Sequence, residues 1–322
     1  MRLLCLLLGM CPSRWLAGDV HMHVSPPDDP DDVALSVAAI ADAAARAGMD
    51  FVVLTPHVWN ERSDWQRAWR QMASEAAHVK RPTLIPGVEW TTREGHFTVA
   101  GANLAALDDD HFLDAAHAAG AYVSVNHPFA VPTNIRGVRA SHFDMSYRAW
   151  TQHRPGFTAI DGAEVWNVPL AIANILSRPG GKTAEQRTWA QLDRIAHEEH
   201  RRVTAVGGTD NHQYNVMATT WVLAADASAT AILAALRAGA TCIGGPEAGT
   251  LRAKGDADWV PIGGAVHGAT MTLAWAGTAR VYVDEVDQGE HDGGFVHATA
   301  GRLHTYRIEI GRSRSGYVYA NL

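Results

Sequence analysis

Trp15-Leu16-Ala17-Gly18-Asp19-Val20-His21-Met22-His23 is an apolar run that ends in two histidines one residue apart. In an extended strand successive side chains alternate between faces, so His21 and His23 share one side while Val20 and Met22 take the other. Two imidazoles leaving one strand end can converge on a point, and neutral imidazole is the commonest protein ligand for divalent transition metals. The pair alone does not complete a site. Carboxylates and further histidines have to come from elsewhere in the chain.

They come with a regular rhythm. After the acidic loop Ser25-Pro26-Pro27-Asp28-Asp29-Pro30, Asp31 and Asp32 are expected to cap an alanine-rich helix over 33–47 that Gly48 ends. Residues 51–55 are continuously apolar, as in a parallel strand covered on both faces, and deliver Pro56-His57. A helix over 63–79 leads to a strand at 83–88 that ends in Glu89, and a short strand at 96–100 begins with His96. A helix over 110–119 and a strand at 122–125 bring in Asn126-His127-Pro128. Residues 158–163 run into Glu164-Val165-Trp166-Asn167. A helix over 183–200 then leads to a strand at 203–208, followed by Thr209-Asp210-Asn211-His212. A last helix over 227–238 and a strand at 241–243 close the series. Alternating β and α elements with ligand-type residues at strand ends predict an α/β barrel-like sheet whose active site lies at that rim.

From about Gly249 the helical pattern stops. Residues 271–275, 279–283 and 304–310 alternate as short strands between Gly and Asp turns, which predicts a small C-terminal all-β domain. The expected division is a leader or signal segment at 1–13, a barrel at 14–248 and the β-domain at 249–322. The start, Met1-Arg2 followed by apolar Leu3 to Met10, reads equally well as an export signal or as an extra buried strand, so export stays open. It is too short to span a bilayer.

With 322 residues the chain has room for one barrel and an appendage. A net charge of -7 without a basic block argues against nucleic-acid binding. Three cysteines make neither a disulfide framework nor a zinc ribbon. The mixed imidazole and carboxylate donors His21, His23, His57, Glu89, His96, His127, Asp210 and His212 suit zinc, manganese or iron, two or three ions in all. Two such ions can hold a bridging hydroxide and polarise a scissile bond. Arg93, Arg136, Arg139 and Arg154 lie in loops that would reach an anionic group.

Asp19-Val20-His21-Met22-His23, Leu54-Thr55-Pro56-His57, Pro86-Gly87-Val88-Glu89 with Gly95-His96, Asn126-His127-Pro128 and Gly208-Thr209-Asp210-Asn211-His212 resemble, in order, the motifs of the polymerase and histidinol phosphatase (PHP) superfamily. Glu164-Val165-Trp166-Asn167 and Ala235-Leu236-Arg237-Ala238-Gly239 resemble its carbaryl-hydrolase-like branch. The resemblance implies a distorted (β/α)7 TIM-like barrel with a di- or trinuclear metal centre that hydrolyses phosphate esters, or in that branch carbamate or aryl esters. It implies that His21, His23, Glu89 and Asp210 hold one metal with Glu89 bridging, that His96 and His127 complete a second, and that His57 and His212 serve a third. The chain departs from the pattern at Pro56, where an Asp is usual, and after His23, where Ser25, Asp28 and Asp29 replace the usual Ser-Asp-Gly run. Both departures favour a binuclear over a trinuclear core.

The expected function is a metal-dependent hydrolase using a metal-bridging hydroxide on a small-molecule phosphate mono- or diester. Asp19, Glu164 and Asn167 would support the centre, and Arg93, Arg136, Arg154 and Trp166 would bind substrate. The first alternative is a carbamate or aryl ester hydrolase, with Trp59, Trp90, Trp166 and Phe129 shaping an apolar pocket; the second is a non-catalytic metal-stabilised accessory module. Neither a nucleic-acid nor a membrane partner is expected, and the sequence leaves the oligomeric state open.

Overall fold

The computed structural model describes residues 13–59, 65–107, 111–130, 134–135, 138–139, 145–175, 181–213 and 216–322. The leader expectation and Arg136 fall outside the described residues, apart from Ser13.

The molecule is mixed α/β and built on one large sheet. Its first strands are β1 (Arg14–Met22), β2 (Phe51–Leu54), β3 (His57–Trp59), β4 (Thr83–Thr92), β5 (Gly95–Ala100) and β6 (Tyr122–Val125). A two-stranded ribbon, β7 (Asn134–Ile135) and β8 (Val138–Arg139), stands apart, and then come β9 (Gly162–Trp166), β10 (Thr204–Gly207), β11 (Thr220–Ala224) and β12 (Thr241–Ile243). β1, β2 and β4 pair in parallel; β4, β5 and β6 form an antiparallel meander; and β6, β9 and β10 pair in parallel again. β10 returns to β1 not through a ladder but through a single bridge, Met22 to Asn211. Asp210 N donates to His21 O at 3.0 Å beside it, and His23 N to Asn211 O at 3.2 Å.

Strand residues are apolar on both faces because both faces are covered. Along β2, Phe51 and Val53 join Ile85, Tyr122, Val206 and Val222 in one core, and the helix Ala229–Arg237 packs Ile232, Leu233 and Leu236 into it. Val52 and Leu54 face the other core, which takes Ile40 from the helix Val37–Arg46, Trp69 and Met72 from Trp65–His78, and Leu192 and Ile195 from Ala184–Glu199. Simple alternation fails at one place. The β1 to β2 register shifts between Asp19 and Met22, so Val20 belongs to the first core and Met22 to the second, with His21 and His23 leaving the strand beyond the irregularity.

Two expected features differ. The first helix starts at Val37 rather than near residue 33, capped by Ser36, whose hydroxyl accepts from Ala39 N. Ser36 thus takes the place expected of Asp31 and Asp32. The sequence reading also passed over β11, which pairs antiparallel with both β1 and β12 and has a half-covered, alternating pattern.

After residue 250 come β13 (Arg252–Lys254), β14 (Val260–Pro261), β15 (Ala265–Val266), β16 (Thr270–Val283), β17 (Val286–Ala298), β18 (His304–Ile310), β19 (Ser313–Ser315) and β20 (Val318–Ala320). The two expected short strands at 271–275 and 279–283 are one strand with an irregular register between Ala274 and Thr278. These strands enclose a third core of Leu251, Met271, Leu273, Val281, Tyr306 and Ile308. They join the preceding sheet through the antiparallel pairing of β12 with β19. Among the described residues no helix is long and apolar enough to cross a membrane.

Leu236 is fully buried where the helix Ala229–Arg237 closes the first core. Leu236→Ala is expected to lower stability by about 2–5 kcal/mol, the usual loss for a deleted buried isobutyl group. Urea unfolding followed by tryptophan fluorescence measures it; a loss below about 1 kcal/mol would contradict this packing.

Candidate metal centre

Seven side chains, from β1, β3, β5 and the segments that follow β6 and β10, meet around one carboxylate. Glu89, in β4, is fully buried, and imidazole nitrogens surround both its oxygens. Oε1 lies 3.3 Å from His21 Nε2, 3.3 Å from His127 Nε2 and 3.1 Å from His96 Nδ1. Oε2 lies 2.9 Å from His57 Nδ1 and 3.5 Å from His23 Nε2. Asp210 closes the other side, with Oδ1 at 3.1 Å from His23 Nε2 and 3.5 Å from His21 Nε2. His212 stacks on His23 with ring centroids 3.8 Å apart.

Three overlapping groups have ligand atoms close enough to share an ion: His21, His23, Glu89 and Asp210; His57, Glu89 and His96; and His23, His57 and His212. The first is the set that the motif resemblance implied. The second differs from that expectation, because His57 rather than His127 groups with Glu89 and His96. His127 instead stands between Glu89 Oε1 and Asp210, whose Oδ2 is 3.8 Å away.

A ring of acceptors outside this cluster fixes how the imidazoles point. His21 Nδ1 is 2.9 Å from Glu164 Oε1, His23 Nδ1 3.0 Å from Asp28 Oδ2, and His127 Nδ1 3.0 Å from Met145 O. A donor bond at Nδ1 leaves Nε2 as the lone-pair nitrogen turned inward, the arrangement that orients histidines at metal sites and raises their basicity. Glu164 also accepts from His127 N at 2.8 Å and from Asn167 Nδ2 at 2.7 Å, so one carboxylate sets the His21 ring and the His127 main chain. Asp28 Oδ1 accepts from His57 N at 2.8 Å. Asn126 Nδ2 donates to Glu89 Oε1 at 2.9 Å. Asp19 offers nothing to the cluster; it accepts from His21 N, Thr209 N and Thr209 Oγ1 and so ties β1 to the segment carrying Asp210.

The backbone bends to deliver two of the donors. His127 and Asp210 have φ of 29° and 53°, a region that non-glycine residues enter at a cost of order 1 kcal/mol or more and that concentrates at functional sites. The bonds to Glu164 and to His21 O hold them there. Gly208 is required for a different reason. A methyl group at its α-carbon would run into Glu164 Oε1 and the β-carbon of His21.

The residues fit a bound cation on their own chemistry. Glu89 Oε2 is buried, close to two imidazoles, and makes no hydrogen bond of proper geometry. A buried charged oxygen left in that state is costly. The donors are all nitrogen and oxygen, which suits zinc, manganese or iron; the one described cysteine, Cys242, is buried in the third core. Burial opposes a charge on His21, but Glu164, Glu89 and Asp210 raise it well above the normal range. His23 is likewise opposed by burial and yet raised to about 10 by Asp28, Asp210 and Glu89. Burial also works against ionisation of Glu89, and His21, His96 and His57 hold its carboxyl well below the usual range. In the metal-free chain protons therefore stand in for cations.

No protein-family model matches the chain, and no curated protein does. Among solved structures, a two-domain protein from Bacteroides vulgatus ATCC 8482, described as containing a predicted PHP-like metal-dependent phosphoesterase, is similar at 17% identity. The match covers 93% of this chain and 91% of that one, with a TM-score of 0.48. PsfC from Pseudomonas syringae PB-5123 is similar at 13% identity over 66% of this chain and 81% of its own, with a TM-score of 0.41. At these scores neither similarity decides the fold or the chemistry, which rest on the side chains described above.

The expected substrate-side residues fare less evenly. Arg93 is exposed on the turn between β4 and β5, and Arg154 is bound to Glu94 at 2.7 Å. Trp166 is half-buried at the end of β9. Trp90 and Phe129 are buried, Trp90 stacking on Phe112 at 4.0 Å, so Trp90 belongs to the core rather than to an apolar substrate pocket. The guanidinium of Arg187 lies 4.4 Å from the Phe129 ring. Among the described residues it has no carboxylate partner.

Glu164→Gln keeps the volume but removes the charge that orients His21. It is expected to weaken metal binding about 10- to 100-fold, as read by competition with a chromophoric chelator; unchanged affinity would refute the orienting role. His21 and His23 hold protons in the folded metal-free chain that an unfolded chain releases near pH 6.5. Folding thus binds protons, and this stabilisation is full below about pH 6.5 and fades as pH rises toward 10. Metal-free protein is expected to melt at progressively lower temperature across that window, and zinc uptake at pH 7 to release protons, measurable by calorimetry in buffers of different ionisation enthalpy.

Proposed function

We propose that the chain is a metal-dependent hydrolase of the PHP type, acting on a small-molecule phosphate ester, with His21, His23, His57, Glu89, His96, His127, Asp210 and His212 as ligands to two or more divalent cations. The observation that carries this reading is Glu89, a single buried carboxylate with both oxygens against five imidazoles from four strand ends. Cations held there would lower the pKa of a coordinated water toward neutrality and polarise the bond to be cleaved. The arrangement of β1, β2, β4, β5, β6, β9 and β10, with the helices Val37–Arg46, Trp65–His78 and Ala184–Glu199 in one core and donors at one end, is what we take for a distorted (β/α)7 barrel, followed from about residue 249 by a β-domain.

Each part of the chain then has a task. Glu164, Asp28 and the Met145 carbonyl keep the imidazoles turned inward. Asp19 and Thr209 hold the two chain segments in register. His57 and His212 have side chains 22% and 34% exposed and are the members of the cluster that an entering substrate meets. Two hydroxyls beside the cluster are engaged, that of Thr209 by Asp19 and that of Thr91 by Glu89 O and His57. Arg187 is the guanidinium we assign to the phosphate, since Arg154 is already committed to Glu94. The burial of Trp90 removes part of the case for an aryl pocket and favours phosphate over aryl carbamate.

Protein stripped of metal and restored with zinc, manganese or iron is to be assayed on p-nitrophenyl phosphate, bis-p-nitrophenyl phosphate, an aryl acetate and an aryl carbamate. Turnover of a phosphate ester is expected, lost at least about 10³-fold in His21→Ala or Glu89→Gln, with Arg187→Ala raising KM more than it lowers kcat. Turnover of the carbamate or acetate alone would move the assignment to the ester-hydrolase reading. A metal-loaded protein silent on all four would favour an accessory module.

A further inference from the structure

A second cluster of ligand-type side chains lies where the helix Ala184–Glu199 meets the C-terminal strands, and it shares no residue with the first. Asp193 and His197 are one turn apart and therefore on one face of the helix. Facing them is Asp284, the first residue of the two-residue turn between β16 and β17. His197 Nε2 is 3.1 Å from Asp284 Oδ1 and 3.5 Å from Asp193 Oδ1, and the three ligand atoms all lie within 4.8 Å of one another. A tetrahedral zinc ion with bonds of about 2.0–2.1 Å keeps its ligands roughly 3.3 Å apart. The observed spacings already approach that figure.

The surroundings hold these groups in place. His304 Nδ1 lies 2.6 Å from Asp284 Oδ2, and Thr305 N donates to Asp284 Oδ1 at 3.0 Å. Thr305 Oγ1 donates to Asp193 Oδ1 at 2.5 Å. The nearby guanidinium of Arg307 is taken by Glu285 and Glu309 at 2.6–2.8 Å. One Nε2 of His197 can give a hydrogen to only one of the two carboxylates facing it.

The turn itself points the same way. Asp284 and Glu285 both have positive φ, 50° and 57°. Such two-residue turns favour Asn-Gly or Asp-Gly, and a Glu at the second position is conformationally costly. Both residues are used for their side chains instead, Glu285 in a bidentate pair with buried Arg307 and Asp284 toward the helix.

We propose that Asp193, His197 and Asp284 form a zinc-type cation site that pins the helix Ala184–Glu199 to the β16–β17 turn, with His304 positioning Asp284. The three side chains are 17–32% exposed, so an ion can enter and a water can complete its shell. The site acts between elements 91 residues apart in the chain and does not depend on the hydrolase reading.

The test is a zinc titration of the metal-stripped full chain, comparing native protein with His197→Ala and Asp284→Asn. Each variant is expected to hold one zinc equivalent fewer than the native chain and to lose part of the zinc-induced rise in Tm, while its turnover at the main cluster stays within about twofold of native. Equal zinc equivalents in all three proteins would overturn the proposal. Because a turn variant can fail to fold, crystals of the native chain equilibrated with zinc give a second readout. An anomalous peak bounded by Asp193, His197 and Asp284 is expected, and no peak there would overturn the site whatever the main cluster holds.

Discussion

A carboxylate taken out of water has to be matched by positive charge or it will not stay ionised, and the fold is arranged around that requirement at Glu89. Five imidazoles reach it, and those of His21, His23, His57 and His127 are set by partners further out. Glu164 is the clearest case, since it fixes the His21 ring, accepts the His127 amide and is held by Asn167, which in turn bonds Leu170 N at the start of the helix Val168–Ile175. Loss of any outer member disturbs several inner ones at once. That coupling is why an N/O donor set scattered from residue 21 to residue 212 behaves as a unit rather than as eight separate contacts.

Much of the site was legible in the sequence because strand ends are easy to recognise. His21, His23, His57, Glu89, His96, His127, Asp210 and His212 each follow or sit within an apolar run, and the structure brings all eight together. The sharing of His57 between two groups was not legible. It depends on the His57 to Glu89 register of β3 against β4, a pairing that no local pattern encodes. The role of Asp28 was hidden for a related reason: within an acidic, proline-rich loop nothing local distinguishes it from Asp29, Asp31 and Asp32. Only the fold shows Ser36 doing the capping and Asp28 turned toward His23 and His57.

The large sheet was legible where strands were continuously apolar and less so where one face is only half-covered. β11 escaped notice because Trp221 and Leu223 alternate with buried neighbours, and its purpose is to couple β1 to β12. The division of β1 between two cores was equally invisible. A strict period of two predicts Val20 and Met22 on one layer, whereas the register shift at Asp19 to Met22 sends them to different ones and turns the two histidines toward Glu89. The C-terminal strands read correctly as β because their Gly and Asp turns are plain. Their attachment to the helix Ala184–Glu199 through Asp193, His197 and Asp284 is a tertiary event.

The junction between β10 and β1 rests on one bridge and two main-chain hydrogen bonds, and it joins the earliest described segment to one about 190 residues later. A nascent chain that has emerged only through the helix Ala184–Glu199 already carries six of the eight donors but lacks Asp210 and His212, and the Asp19 carboxylate has no Thr209 to grip. Assembly of the centre is therefore a late step in synthesis, and the ion-binding pocket comes into being only when the two distant segments zip together.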